Sequence, residues 1–248
     1  MENQELTKEK NILSEMKEKG VHYGHKKSRL NPKAEYFTIK TPSGIYLINL
    51  EETKKSLEKA IDFLKEVVKE GKQILFVGTG GGAKGKIQSL AEKFGFAYVN
   101  EKWLGGTLTN FQTLKSRIDH LKELEQQRES GEWEKYTKKE KSLLEKEYQS
   151  LQKKFAGLKE MERVPDVLFV VDPNLHSTAL REAKRINIPI VAILDIDDDP
   201  TLIDYPIPAN DSARSAIEYI LEIIEKAIEE AKKEAPLAPE KTIAENIE

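Results

Sequence analysis

Cysteine is absent from this 248-residue sequence, which excludes disulfide bonds, thiolate zinc sites and cysteine nucleophiles. No apolar run approaches the roughly 20 residues that a membrane-spanning helix needs. Residues 1–20 are charged and amphipathic, and they lack the apolar centre of a signal peptide. We therefore expect a cytoplasmic protein that does not associate with a membrane.

An excess of positive charge is also absent, because the formal net charge is −3. The charge is unevenly distributed, and the segment from Glu218 to the C-terminus is strongly acidic. Residues 22–40 contain one acidic residue, Glu35, and five cations, which are Lys26, Lys27, Arg29, Lys33 and Lys40. Charges are screened over about 8–10 Å in physiological salt, so a local cluster of cations is sufficient to bind phosphate. The net charge therefore does not exclude a nucleic-acid partner.

Apolar strands alternate with amphipathic helices in the two outer parts of the sequence. The predicted strands of this pattern are Ile74–Val77, Ala97–Val99, Val167–Val171 and Ile190–Leu194. The predicted helices are residues 7–19, 51–70, a segment ending near 94, 178–186 and 212–233. A loop without periodicity is expected at residues 21–35, followed by a β-hairpin of residues 36–40 and 45–49. The alternation indicates a Rossmann-like α/β fold, in which helices cover both faces of a parallel sheet.

The middle of the sequence has a different pattern. In residues 109–129 apolar side chains recur at intervals of three and four, at Phe111, Leu114, Ile118 and Leu121. The same spacing continues in residues 137–161, at Leu144, Tyr148, Leu151, Phe155 and Leu158. Thr137 with Glu140 forms a candidate capping box. A narrow apolar seam on a charged helix is typical of an antiparallel coiled-coil hairpin.

These patterns predict the organisation of the chain. We expect residues 107–161 to form a coiled-coil arm that projects from an α/β domain. That domain comprises residues 1–106 and 162–235. Residues 236–248 are predicted to be a disordered acidic tail.

Residues 78–86 form a glycine loop between a predicted strand and the following helix. Gly78, Gly80 and Ala83 match the dinucleotide fingerprint, and Glu101 follows the next strand, where a ribose-binding carboxylate is expected. The loop also nearly matches a P-loop, but Ile87 replaces the hydroxyl residue that coordinates Mg²⁺. RNA phosphate would suit the same helix N-terminus, and a tight turn needing glycine for positive φ is the structural alternative. A nicotinamide- or nucleotide-dependent enzyme is therefore the main alternative function.

Two further groups of side chains could carry chemistry. Four aspartates in residues 195–199 follow a predicted strand, and with Asp211 and His25 they have the ligand types that hold Mg²⁺ or Zn²⁺. An acidic loop without a bound metal explains the same residues, and we favour that interpretation. His176 precedes a serine but lacks a G-x-S-x-G elbow and an aspartate to orient it, so a Ser–His nucleophile is not expected.

Several stretches, taken in order and at their spacing, carry a family resemblance. They are residues 20–25 (GVHYGH), 26–33 (KKSRLNPK), 48–51 (INLE), 75–79 (LFVGT), 103–111 (WLGGTLTNF), 165–166 (PD), 187–189 (NIP) and 207–211 (IPAND). Together they closely resemble the second protein family of the small ribosomal subunit, in its bacterial form. The resemblance covers roughly residues 8–230 and includes the helical insertion after the tryptophan motif.

The resemblance implies a flavodoxin-like sheet with a protruding helical hairpin, in a structural, non-catalytic protein. We expect no cofactor and assign no residue as a metal ligand. It implies a position between the head and the body of the small subunit, in contact with small-subunit ribosomal RNA and neighbouring ribosomal proteins. It also implies a role in recruiting the large ribosomal protein that captures messenger RNA. The sequence departs from the family at Gly80 and Gly81, where basic residues are usual, and its basic charge is shifted to Lys84 and Lys86.

The residues themselves predict an RNA interface in three segments, which are a basic loop (residues 22–35), the glycine loop and a tryptophan loop (residues 103–110). Cations would neutralise phosphates, rings of the basic loop would stack on unpaired bases, and paired glycines beside the tryptophan would let the backbone approach a ligand. The predicted RNA-binding residues are His22, Tyr23, His25, Lys26, Lys27, Arg29, Asn31, Lys33, Thr79, Lys84, Lys86, Trp103, Gly105, Gly106, Thr107, Asn110, Lys115 and Arg117.

Overall fold

The computed structural model describes residues 11–42 and 44–234 of the chain. Its strands are β1 (Tyr23–Lys26), β2 (Thr38–Lys40), β3 (Ile45–Ile48), β4 (Ile74–Val77), β5 (Ala97–Val99), β6 (Val167–Val171), β7 (Ile190–Leu194) and β8 (Tyr205–Pro208). Its helices are α1 (residues 11–18), α2 (Leu50–Lys69), α3 (Lys84–Phe94), α4 (Phe111–Glu129), α5 (Lys138–Phe155), α6 (Ser177–Arg185) and α7 (Arg214–Glu234). The predicted start of the first helix at residue 7 and the predicted tail at residues 236–248 lie outside the described residues.

Five parallel strands form the main sheet in the order β5-β4-β6-β7-β8. This is the flavodoxin-like order. The first strand of this sheet in the sequence, β4, lies between the second, β5, and the third, β6, so the direction of winding reverses between β4 and β6. Successive side chains of a strand point to opposite faces, so Ile74 and Phe76 join one apolar cluster and Leu75 and Val77 join another. Helices α1, α2, α3 and α7 cover the first face, and α4, α5 and α6 cover the second. The predicted parallel α/β fold is confirmed.

The edge strand β8 was not among the predicted strands. Pro206 and Pro208 interrupt its sequence, and proline cannot donate a backbone hydrogen bond to a neighbouring strand. An edge position tolerates both prolines, because only one side of the strand pairs.

A small antiparallel sheet, in the order β1-β3-β2, lies before the main sheet in the sequence. Strands β2 and β3 form the predicted hairpin. The prediction of an irregular loop at residues 21–35 was wrong for Tyr23–Lys26, which pairs with β3 through an irregular register. A Cβ at Gly24 would lie 2.7 Å from the carbonyl oxygen of Tyr46, so this position needs glycine for the close approach of the two strands.

Helices α4 and α5 pack against each other as an antiparallel pair. Arg128 contacts Glu145 near the connecting turn at 3.4 Å, whereas Arg117 and Phe155 line one cavity at the other end. The capping box of Thr137 and Glu140 is present. Most of the predicted seam is buried and belongs to the cluster that covers the second face of the sheet. Supercoiling of the pair, and its boundaries at residues 107 and 161, remain predictions.

None of the helices within residues 11–42 and 44–234 is long and apolar enough to cross a lipid bilayer.

Candidate nucleic-acid interface

The three predicted segments gather at the carboxyl edge of the main sheet, where parallel strands end together. The glycine loop follows β4 and the tryptophan loop follows β5. The basic loop is held beside the end of β7 by a hydrogen bond from the backbone N–H of Asn31 to the carbonyl of Ile196, with an N···O distance of 2.9 Å. The carboxyl edge of an open α/β sheet is the usual place for a ligand.

Three cations of the basic loop face solvent. Lys26 ends β1, and Lys27 and Arg29 lie in a short 3₁₀ turn that follows it. All three are exposed, and within the described part of the chain none of them makes an ion pair. Lys33 differs, because its Nζ lies 2.7 Å from a carboxylate oxygen of Asp199. That ion pair lowers the pKa of Asp199 to about 2.

The rings of the basic loop are not equally accessible. Tyr23 is 56% exposed, and its ring lies against that of His22 with centroids 4.1 Å apart. Burial lowers the pKa of His22 below its ordinary value, with a smaller contribution from Lys17. His25 places Nδ1 2.9 Å from a carboxylate oxygen of Asp195, so this nitrogen holds the basic loop to β7. Tyr23 is therefore the most exposed ring of the basic loop.

Close packing explains two glycines of the glycine loop, Gly78 and Gly82. A Cβ at Gly78 would lie 2.9 Å from Ile87 Cγ1, and one at Gly82 would lie 3.2 Å from the backbone of Arg214. The structural alternative of a positive-φ turn was wrong, because every positive-φ glycine of the described residues lies outside residues 78–86. Open space surrounds Gly80 and Gly81, so larger side chains fit at both positions.

Both lysines of the glycine loop are engaged within the protein. Lys84 is ion-paired with Glu101, and Lys86 Nζ lies 2.6 Å from a carboxylate oxygen of Glu225. The carboxylate expected for a dinucleotide ribose and the lysine expected for a P-loop are therefore both occupied. These contacts weaken the enzyme alternative, and they leave less positive charge for RNA than the sequence suggested.

Thr79 follows β4 and contacts a residue that follows the neighbouring strand, β6. Its hydroxyl lies 3.1 Å from Nε2 of His176, and Nδ1 of the same ring lies 2.8 Å from the carbonyl oxygen of Asp172. Burial lowers the pKa of His176, so the ring is neutral at pH 7, with Nδ1–H donating to the carbonyl and Nε2 accepting from Thr79. His176 is a packing residue of this edge.

Glu182 on α6 organises the tryptophan loop, although nothing in the sequence singled it out. Its side chain is buried, and Oε1 accepts hydrogen bonds from Trp103 Nε1 at 3.0 Å and from the N–H of Gly106 at 2.9 Å. Oε2 accepts from the N–H groups of Leu108 at 3.0 Å and Thr109 at 3.3 Å. Burial alone would raise the pKa of Glu182, but these donors lower it below its ordinary value.

The remaining predicted residues of this segment divide into two groups. Thr107 is buried, and its hydroxyl donates to the carbonyl of Leu104 at 2.6 Å, so it stabilises the loop. Gly105, Asn110, Lys115 and Arg117 are exposed. Trp103 is half-buried, and its indole N–H donates to Glu182, so this group is not available to a ligand.

Buried carboxylates lie at the same edge of the sheet. One oxygen each of Asp172, Asp198 and Asp211 lie within 4.8 Å of one another, and a ligand atom each of His25, Asp195 and Asp197 lie equally close. Carboxylate and imidazole groups at these spacings are ligand types that a divalent cation takes. Two aspartates of the predicted acidic loop, Asp195 and Asp198, are only 3% and 0% exposed, so their side chains belong to the protein interior.

Protonation offers another way to stabilise these carboxylates. Burial, followed by the nearby charges of Asp198 and Asp172, raises the pKa of Asp211 to about 9. Asp211 is therefore protonated at pH 7 and donates a hydrogen bond to Asp198. Asp198 also accepts from the N–H groups of Asn174 and Asp195, at 2.9 and 2.8 Å. The cluster thus links the ends of β6, β7 and β8.

Comparison with known proteins assigns the family. The sequence profile of the family described as Ribosomal protein S2 matches residues 16–231. The small ribosomal subunit protein uS2 of Coprothermobacter proteolyticus is 46% identical over 221 residues, covering 89% of this chain and 82% of the relative. The protein of the same name in Dictyoglomus thermophilum is 45% identical over 230 residues, covering 91% and 94% of the two chains. The resemblance predicted from the sequence is confirmed, and the chain belongs to the ribosomal protein S2 family.

Proposed function

We propose that this chain binds small-subunit ribosomal RNA through the carboxyl edge of its sheet, with Lys26, Lys27 and Arg29 as the principal phosphate contacts. As a member of the ribosomal protein S2 family, it is a structural constituent of the small ribosomal subunit in the cytoplasm, and it is not an enzyme. Ribosomal RNA and other ribosomal proteins are its environment there.

One observation carries the proposal. The three cations lie within four consecutive positions and are exposed, and within residues 11–42 and 44–234 no carboxylate pairs with them. Three other lysines of this edge, Lys33, Lys84 and Lys86, are paired with carboxylates. An unpaired cation gains most from phosphate, because it gives up no ion pair within the protein on binding. Tyr23, exposed beside them, supplies a ring for an unpaired base.

The finer placement of the chain is part of the same proposal. We place it between the head and the body of the subunit, with the pair of helices α4 and α5 resting on RNA or on a neighbouring protein. Lys115 and Arg117, at the base of that pair, are exposed cations suited to phosphate. From this position the chain helps to recruit the large ribosomal protein that captures messenger RNA.

Subunit incorporation tests the proposal. Replacing Lys26, Lys27 and Arg29 together with Glu should abolish co-sedimentation with small subunits, because attraction to phosphate becomes repulsion. A matched control replaces Lys59, Arg185 and Lys226 with Glu, which makes the same change in net charge on α2, α6 and α7. The control should incorporate like the wild type. Normal incorporation of the basic-loop variant would refute the assignment of this loop.

A further inference from the structure

The tryptophan loop has polar groups that point in two directions. Those that contact Glu182 are turned towards α6 and include the indole N–H of Trp103 and the backbone N–H groups of Gly106 and Leu108. Glu182 is 7% exposed, so these donors serve the protein interior and are not offered to a ligand. Any RNA contact made by this loop must come from its other side.

The outer side of the loop forms a small cavity at the base of α4. The cavity has a volume of about 140 Å³, and its lining includes Gly105, Asn110 and Arg117. Gly105 is exposed, and a Cβ there would meet open space. Arg117 is exposed, and in the described part of the chain it makes no ion pair. The cavity therefore combines accessible backbone, an amide side chain and a cation, which are the groups that bind a sugar–phosphate backbone.

We infer that Glu182 is the positioning residue of this part of the interface: by holding the loop from behind, it presents Gly105, Asn110 and Arg117 to one RNA phosphate. The inference rests on the proposed RNA-binding function and adds to it the residue that sets the geometry. A buried carboxylate suits this task, because charged hydrogen bonds are stronger than neutral ones. Its carboxylate faces the donors of the loop, and the residues that line the cavity do not include Glu182.

The variant Glu182→Gln tests the inference with little change of shape. An amide places its own N–H groups against the N–H groups of Leu108 and Thr109, so these bonds are lost. Amide hydrogen exchange at Gly106, Leu108 and Thr109 should become at least about tenfold faster, while exchange in β4 and β6 stays unchanged. Affinity of the full chain for small subunits that lack this protein should fall about tenfold. Glu222→Gln, an exposed change on α7, is the matched control and should alter neither quantity.

A double-mutant cycle separates positioning from general destabilisation. Asn110→Ala should weaken binding in the wild type but add little in the Glu182→Gln background, because the loop is already displaced there. Additive effects, or unchanged affinity with a loosened loop, would overturn the role of Glu182 while leaving the proposed function intact. If the wild-type chain does not bind small subunits that lack this protein, both the role of Glu182 and the proposed function are overturned. Should Glu182→Gln fail to fold, Trp103→Phe removes one donor and keeps a ring, and it should give the same pattern at about threefold.

Discussion

Asp211 is protonated in the folded protein at neutral pH, and this has a consequence for stability. Its pKa is about 9 when folded and about 3.9 in an unfolded chain, so the folded state binds the additional proton between these values. The contribution of this group to the free energy of unfolding is therefore fully present below pH 4 and is lost as the pH rises towards 9. We expect Asp211→Asn, which keeps a donor towards Asp198, to flatten the fall in melting temperature between pH 5 and pH 9. A melting curve with the wild-type pH dependence would contradict the assignment.

Gly78 is predicted to be the least replaceable glycine of its loop. A methyl group there would press on Ile87 and Ala83, at 2.9 and 3.1 Å, and overpacking of this kind costs about 1–3 kcal/mol. Gly80→Ala is the matched control, because its Cβ meets open space and the change should be within about 0.5 kcal/mol of neutral. Denaturant unfolding of both variants provides the comparison. Equal stabilities would contradict the packing explanation.

Single residues were the hardest part of the site to predict. The cations of the basic loop were recognisable because charge clusters are visible in a sequence. Glu182 was not, since a glutamate in a short amphipathic helix looks like a surface residue until the loop that packs on it is known. In the same way, the ion pairs of Lys84 and Lys86 join residues 17 and 139 positions apart, and pairing over such a separation has no local signal.

At the scale of elements, the pair of helices α4 and α5 shares its apolar core with the sheet. Leu121 is 0% exposed and lies in the same cluster as Leu168 of β6. We expect Leu121→Ala to cost about 2–5 kcal/mol and to destabilise the sheet along with the helices. Leu143→Ala, at a side chain 59% exposed, should cost less than about 0.5 kcal/mol.

Calorimetry distinguishes this shared core from an independent arm. A single transition that shifts to lower temperature in Leu121→Ala is the expected result. Two transitions, with only one of them shifted, would show that the helices fold separately from the sheet.

Strands that are buried along their whole length were easier to predict from the sequence than strands at the edge of a sheet. Strands β4, β6 and β7 are buried along their whole length, so they read as continuous apolar runs. The missed strands, β1 and β8, lie at sheet edges and contain glycine or proline. Partner strands and close backbone contacts decide their conformation, and a sequence does not show these partners.

At the scale of the whole molecule, the fold brings sequence-distant segments to one edge. His25 meets Asp195 across 170 positions, and Thr79 meets His176 across 97. The order of the strands determines which loops become neighbours, so the sequence could predict the segments of the interface but not their arrangement. The proposed RNA interface is therefore one surface, on which Lys26, Lys27 and Arg29 are exposed.

The salt dependence of RNA affinity tests this account most directly. The dissociation constant of the full chain for small subunits lacking this protein is measured from low to physiological salt, for the wild type and for the variant with Gln at positions 26, 27 and 29. Each phosphate contact contributes about 0.7–0.9 to the slope of log affinity against log salt, so the variant should lose roughly 2–3 from that slope. Wild-type binding with the same slope as the variant would contradict the claim that these cations hold the RNA.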